Sequence, residues 1–312
     1  MARKKITVVG AGNVGATTGY MLAARELGDV VLIDIVEGLA EGKALDMAQS
    51  GGVYPFASAV TGTTEWAATA GSDIVIITSG MPRRPGMSRD DLLAKNVDIV
   101  KSVSGEVVKH SPQAFIIVVC NPLDAMVYLA AKVSGLAKNK VMGMAGALDS
   151  ARFAYFIAAE LGVNIADVNC VLMGGHGDDM VPLPRFTRVG GVAVGELMTT
   201  EKIDELIERT RKGGVEIVNF LGYSAYYAPA AGAVKMAEAI IKDKKAEMSC
   251  CAYCQDEYGV GGAFVGVPVV LGAGGVEKII ELDLNEAEKE ALAKSVAHVQ
   301  QLTAKVGELI RA

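Results

Sequence analysis

The chain has no apolar run long enough to cross a bilayer: its most hydrophobic stretches are about 5 to 12 residues and are broken by Gly, Pro or charge. The basic start Met1-Ala2-Arg3-Lys4-Lys5 leads into a strand-like run rather than a signal-peptide core, so the expectation is a soluble, cytoplasmic protein without a membrane partner. Basic charge is also in short supply. Against 36 Asp and Glu stand 30 Lys and Arg, a net charge of −6, and no basic field invites nucleic acid. The five cysteines, Cys120, Cys170, Cys250, Cys251 and Cys254, form no even, regularly spaced disulfide framework. Cys251-x-x-Cys254 lies in Ala246 to Tyr258, which reads as strand, where residues three apart point to opposite faces. No second Cys or His pair completes a metal site. Buried, reduced thiols and no metal are expected.

What is present is glycine, β-branched residues and order. At 312 residues, 51% of them hydrophobic, the chain can form two ordinary domains and a large core. It shows no internal repeat, low-complexity tract or linker. The run Lys5 to Val9 leads straight into Gly10-Ala11-Gly12-Asn13-Val14-Gly15. An Ala- and Leu-rich helical segment to Arg25 follows, and Val30 to Asp34 ends in an acid. This is a βαβ unit carrying a dinucleotide fingerprint. Gly10 permits the tight turn, Gly12 lets the backbone approach a pyrophosphate, and Gly15 lets helix pack closely on strand. The diphosphate would sit on a helix N-terminus, where free N–H groups and the dipole favour an anion. Asp34 is placed to accept hydrogen bonds from a ribose, and its charge would repel a 2′-phosphate. No arginine follows it, so NAD is favoured over NADP.

Strand-like runs recur at Ile6–Gly10, Val30–Asp34, Asp73–Thr78, Phe115–Cys120 and Val141–Met144, with helical patterns between several of them. Such alternation predicts an α/β fold, a doubly wound parallel sheet of Rossmann type over residues 1–145. The clearest helix runs from Asp90 to Lys109, with Leu93, Val97, Val100, Val103 and Val107 on one face and His110 as a C-terminal cap. Residues 146–312 read as a C-terminal α+β substrate domain. Its expected elements are helices from Asp149 to Leu161, Glu201 to Leu221 and Ala230 to Lys242. The expected strands are Val168 to Met173, a punctuated β segment from Met180 to Val194, then Ala246 to Tyr258 and Gly262 to Leu271. The last helix opens on the capping box Asn285-x-x-Glu288, and His298 within it reads as a surface residue. The two halves should share a tight interface.

Ligands of such sheets bind beyond the carboxyl ends of the strands, which directs attention to Gly10–Gly15, Gly80–Arg89, Asn121–Asp124 and Gly146–Arg152. The loop from Gly80 holds Arg83, Arg84 and Arg89 among prolines and glycines. Ser88-x-x-Asp91 caps the next helix and leaves Arg89 in its first turn, where a cation opposes the dipole at a cost of roughly 0.3–1 kcal/mol. A broken local rule of this kind points to function, here a lid closing over an anion. Asp149 and Arg152 share one face of a strongly apolar helix. Either they pair with each other, or Arg152 grips a substrate carboxylate while Asp149 holds an imidazole. Of only three histidines, His176 alone follows an apolar strand and is flanked by glycines that admit a ligand.

Gly10-x-Gly-x-x-Gly15 with Asp34, the stretch Met81 to Arg89, Asn121-Pro122-Leu123-Asp124, Leu148 to Phe153 and Gly174-Gly175-His176-Gly177-Asp178 together resemble the lactate/malate dehydrogenase family. The resemblance is greatest to its lactate-dehydrogenase-like malate dehydrogenase branch and covers nearly the whole chain. It implies an NAD-dependent oxidoreductase that transfers hydride reversibly between (S)-malate and oxaloacetate, a step of the tricarboxylic acid cycle. His176 would be the general acid/base and Asp149 its orienting partner. Arg152 would grip the carboxylate beside the reacting carbon, Arg89 would polarise the carbonyl, and Asn121 would bond the substrate oxygen. The backbone near Val119 and the side chain of Asn96 would touch NAD, together with Gly10, Gly12, Asn13, Val14, Gly15, Asp34 and Asn121. A homodimer or homotetramer is implied. One departure is Tyr223, where the family resemblance calls for a small residue.

Two other classes share these features in part. An NAD-dependent glycosidase would need a divalent metal, for which Cys170 and His176 are the only pair to offer. A silent NAD sensor could dispense with His176, Asp149 and Arg152 together. Within the dehydrogenase reading, the competing substrate is pyruvate. Lactate-specific relatives resemble one another in a neutral glutamine where Arg83 stands, and a cation there pairs with the second carboxylate of oxaloacetate. Pyruvate would leave it desolvated and unpaired, at roughly 2–5 kcal/mol, or about 30- to several-thousand-fold in discrimination. Arg83→Gln is therefore expected to depress oxaloacetate turnover far more than pyruvate turnover, and equal losses on both would refute this assignment.

Overall fold

The computed structural model describes residues 3–81 and 89–311. Strand and helix alternate through the first half: β1 (Lys5–Val9), α1 (Asn13–Ala24), β2 (Asp29–Ile33), α2 (Leu39–Ser50), β3 (Val60–Thr63), β4 (Ile74–Ile77), α3 (Arg89–His110), β5 (Phe115–Val118), α4 (Leu123–Ser134) and β6 (Val141–Gly143). The strands are short, nearly continuous apolar runs because parallel strands are buried on both faces; Ile6, Val8, Ile74, Ile76, Ile116 and Ile117 are wholly enclosed. These strands lie parallel in the order β3-β2-β1-β4-β5-β6. The order reverses between β1 and β4, which opens a crevice at their carboxyl ends. The edge strand β3 is the one that periodicity does not announce, since Val60-Thr61-Gly62-Thr63 is only partly buried. The apolar stripe of α3 is present as expected, with Leu93, Val97, Val100, Val103 and Val107 all buried.

The second half begins with α5 (Gly146–Leu161), β7 (Val168–Asn169), β8 (Leu172–Gly174), β9 (Met180–Pro182), β10 (Arg188–Val189), β11 (Val192–Ala193) and α6 (Val194–Leu197). It ends with α7 (Thr200–Leu221), α8 (Tyr227–Ile241), β12 (Ala246–Cys254), β13 (Ala263–Gly272), β14 (Gly275–Ile279) and α9 (Glu286–Arg311). Its strands join the sheet of the first half. β12 lies antiparallel beside β6, with Cys251 opposite Gly143, and β13, β8 and β9 follow. The halves thus share backbone pairing as well as packed helices. Two expectations need correction. The strand expected over 168–173 is two strands in different sheets, because β7 pairs with β10 while β8 pairs with β13 and β9. The expected β segment 180–194 is only β9, a 3₁₀ turn at Pro184–Phe186 and the two-residue strands β10 and β11.

Strand alternation places Cys250 and Cys254 in the core on one side of the sheet and Cys251 in the core on the other, and all five cysteines are free. The capping box of α9 is reciprocal: Asn285 accepts from the Glu288 N–H at 2.9 Å, and Glu288 accepts from the Asn285 N–H at 2.9 Å. Among the described residues, no helix is long and apolar enough to cross a membrane.

Candidate active site

The nucleotide loop is built by β1 and held from three sides. Gly10 sits at φ +98°, and a Cβ on Gly15 would lie 1.8 Å from the Gly10 carbonyl oxygen, so strand and helix meet at a distance only glycine allows. Gly12 is exposed at the mouth of α1, with open space where a side chain would stand. Neither a capping side chain nor an acid in the first turn serves α1, so its leading N–H groups, from Asn13 and Val14 to Gly15, are available to an anion. Asp34 accepts a hydrogen bond from the Ala11 N–H at 2.6 Å through one oxygen and from the Val36 N–H at 3.0 Å through the other. The Thr78 hydroxyl donates to Val9 and Gly10 carbonyls. Lys43, on α2, donates to the Ala11 carbonyl at 2.6 Å. Sequence reading missed Lys43, because no local pattern ties a helix lysine to a loop 32 residues away.

Asn96 bridges two loops at the carboxyl ends of the strands. Its side chain is 1% exposed, and its amide is spent on backbone: it accepts from the Met81 N–H at 2.7 Å and donates to the Asn121 carbonyl at 2.7 Å and the Met81 carbonyl at 3.3 Å. It ties the loop after β4 to the loop after β5 and is enclosed between them. Asn121 itself is exposed ahead of α4, and Val119 is half-buried at the end of β5.

The second cluster forms where β8, α4, α5 and α9 converge. His176 follows β8, and its Nδ1 lies 2.8 Å from Asp149 Oδ2. The His176 backbone N–H donates to Asp124 at 2.9 Å. The Ser295 hydroxyl accepts from the Gly175 N–H at 2.8 Å and donates to the Asp179 carbonyl at 2.7 Å, so α9 braces both ends of the histidine loop. His298 stands at the surface as expected, with its side chain 44% exposed, and its Nδ1 lies 2.6 Å from Asp179 Oδ2. Neither Ser295 nor His298 could be found from spacing, since their partners lie more than a hundred residues away.

Asp149 is 2% exposed on its side chain and faces two cationic groups. Its Oδ1 stands 3.7 Å from Arg152 Nη1, beyond hydrogen-bond length, and has no hydrogen-bond partner; Arg152 Nε is also buried and without one. The pairing the geometry favours for Asp149 is therefore the imidazole, and Arg152 keeps donor capacity for another anion. Burial pulls the Arg152 pKa below its ordinary value, and the Asp149 charge pushes back. Burial alone would lower the His176 pKa too. The charge and hydrogen bond of Asp149, then the charge of Asp124, outweigh burial and the nearby Arg152, holding the imidazolium above its usual range. With Nδ1 bound to Asp149, Nε2 is left for proton exchange. A Cβ on Gly213 of α7 would lie 3.3 Å from Arg152 Cδ, so α7 makes room for this side chain where sequence reading found only a helix.

Arg83 lies outside the described residues. Arg89 is the first residue of α3, as expected, and its side chain lies outside them as well. Tyr223, exposed after α7, stacks with Tyr226 at 6.1 Å between ring centroids. Among the described residues, no group of three or more His, Cys, Asp or Glu is disposed to hold a metal.

Comparison with known proteins fits this arrangement. The NAD-binding domain of lactate/malate dehydrogenases matches residues 4–143, and their α/β C-terminal domain matches residues 146–309. The chain belongs to the lactate/malate dehydrogenase family. As a member it is an NAD-dependent oxidoreductase with a Rossmann nucleotide-binding half. A malate dehydrogenase of Rhodopirellula baltica is 56% identical over 99% of both chains. The solved malate dehydrogenase of Picrophilus torridus, in its apo form, is 45% identical with a TM-score of 0.97 and covers 99% of each chain. A lactate dehydrogenase of Cryptosporidium parvum, solved with lactic acid and NAD, is 46% identical with a TM-score of 0.95 and covers 98% of this chain and 99% of its own. The fold is thus shared with relatives of both names.

Removing the Asn96 amide in Asn96→Ala strands the Met81 N–H and separates two loops of the nucleotide site. A loss of about 1–3 kcal/mol in unfolding free energy is expected, together with weaker NADH binding by fluorescence titration. If both quantities match the unsubstituted protein, Asn96 does not clamp the loops.

Proposed function

We propose that this chain is a malate dehydrogenase, interconverting (S)-malate and oxaloacetate with NAD, as a step of the tricarboxylic acid cycle. The observation that carries the reading is the buried Asp149, hydrogen-bonded to His176 and flanked by an Arg152 with an unused donor. The relatives named malate dehydrogenase favour a dicarboxylate, and Arg83 supplies the second cation that a dicarboxylate needs.

The residues present fit NAD. Gly10, Gly12, Asn13, Val14 and Gly15 offer the diphosphate an open loop and the free N–H groups of α1, while Asp34 offers its remaining lone pairs to a ribose hydroxyl. Val119 and Asn121 border the same crevice, which Asn96 shapes from behind. When bound, the nicotinamide supplies or receives the hydride at the carbon bearing the reacting oxygen. Arg152 holds the adjoining carboxylate with its planar fork. Arg83 takes the distal carboxylate, and Arg89 and Asn121 stabilise negative charge developing on the oxygen. His176 Nε2 gives that oxygen a proton during reduction and takes it back during oxidation. Asp149 fixes the tautomer and favours the imidazolium.

The assembly is a homodimer or homotetramer on this reading. Apolar side chains are left in water at the end of α7, where Phe220 is 82% exposed beside Val215 and Val218, and after α2, where Val53 is 90% exposed. Light scattering should give a mass at least twice the 32.5 kDa of one chain, and a monomer at working concentration would refute this. Five free thiols suit the reducing cytoplasm.

Loss of NADH absorbance with oxaloacetate and pyruvate, offered separately across a pH series, tests the function. Oxaloacetate should be strongly preferred. Reduction needs protonated His176, so it should persist through the ordinary histidine range and fall only as the pH passes the raised pKa, while malate oxidation rises over the same interval. A preference for pyruvate overturns Arg83 as selector. No oxidation with either substrate overturns the malate dehydrogenase assignment.

A further inference from the structure

The loop that carries Asn121 ends in a residue to which the proposed mechanism gives no work. Asp124 stands in the first turn of α4 and is only 6% exposed. A carboxylate so placed is expensive to bury without partners. Its Oδ2 accepts the His176 backbone N–H at 2.9 Å. Its Oδ1 has no hydrogen-bond partner, and the weakly donating thiol of Cys251 on β12 lies near the carboxyl group. Helix packing alone does not ask for an acid here, because its neighbours Leu123, Ala125, Met126 and Val127 are apolar and buried. What Asp124 does reach is the loop that bears the acid/base.

We infer that Asp124 is a positioning residue, which anchors the backbone of His176 from α4 and places a second negative charge near the ring that Asp149 holds from α5. The inference rests on the acid/base role given to His176 above. Two carboxylates on two helices thus converge on one histidine, one through the ring and the other through the main chain. Because Asp124 lies three residues after Asn121, one short turn also sets the distance between the group that bonds the substrate oxygen and the group that protonates it. Among the described residues, the charged and titratable groups around the ring are Asp149 and Arg152 on α5 and Asp124 on α4. Cys251 on β12 lies behind Asp124, and Asp178, Asp179 and the His298 of α9 lie along the loop. Among them Asp149 and Asp124 favour the imidazolium and Arg152 opposes it. Burial pushes the Asp124 carboxyl upward in turn, and the His176 N–H, the Cys251 thiol and the His176 charge work against that. The two groups therefore support each other's charge.

Asp124→Asn tests this, since the amide keeps the size and an accepting oxygen while removing the charge. With only three histidines in the chain, the His176 ring can be followed by NMR titration, its resonance identified by its loss in His176→Gln. The expected result is a lower His176 midpoint in Asp124→Asn, displaced less than in Asp149→Asn. In oxaloacetate reduction, the loss should grow with pH, reaching on the order of 3- to 10-fold on the alkaline side. A midpoint equal to that of the unsubstituted protein overturns the inference. Should Asp124→Asn not fold, the unsubstituted protein carries its own readout. The His176 amide proton, bonded to Asp124, should shift as that carboxyl group is protonated, and a shift that stays flat while the protein remains folded overturns the inference equally. The ring titration needs no substrate. An unmoved midpoint with full oxaloacetate turnover removes only the role of Asp124. A moved midpoint without turnover removes the malate dehydrogenase reading and leaves Asp124 coupled to the ring.

Discussion

A carboxylate denied water must be given cations or donors, and Asp149 is the residue on which that requirement falls most heavily. Its side chain is almost wholly enclosed, with His176 at 2.8 Å and Arg152 at 3.7 Å. The asymmetry between those distances orders the site. The nearer partner takes the hydrogen bond and is left with its Nε2 unbound to Asp149; the farther one keeps a buried donor without a partner. Had the two distances been reversed, Asp149 and Arg152 would form a closed ion pair, and neither would have capacity left for chemistry.

The fold supplies this arrangement by continuing one sheet across both halves. Parallel strands β1, β4 and β5 deliver the nucleotide loop, Asn96's clamp and Asn121 to one edge, and β6 hands the sheet on to β12, β13 and β8, after which His176 appears. The helices α4 and α5, which bracket β6, bring Asp124 and Asp149 to the same histidine. A shift in the pairing of Cys251 with Gly143 would move the antiparallel half relative to those helices and break both contacts together.

Much of this was legible from the chain. The stripe of α3, the glycine fingerprint with Asp34 and the capping box of α9 all leave local marks, because burial and capping repeat at fixed spacing; for Asp149, spacing left both Arg152 and an imidazole open as partners. The parts that were not legible share a physical reason. Cys170 and Val171 lie where the chain leaves one sheet for another, and strands of two or three residues are too short to show a period. The clamp of Asn96 on backbone at Met81 and Asn121 joins loops after two different strands, which no spacing around residue 96 announces. Lys43 and Ser295 meet their partners only through the fold, and a contact from a side chain to distant backbone imposes no pattern on either segment.

The brace from Ser295 has a bearing on how the protein is made. Gly175 waits for a partner 120 residues further along the chain, on the final helix. During synthesis, the parallel strands and their glycine loop emerge first, while the histidine loop lacks its hydroxyl until α9 has left the ribosome and docked. A nascent chain whose parallel strands have already paired still lacks this brace on the histidine loop.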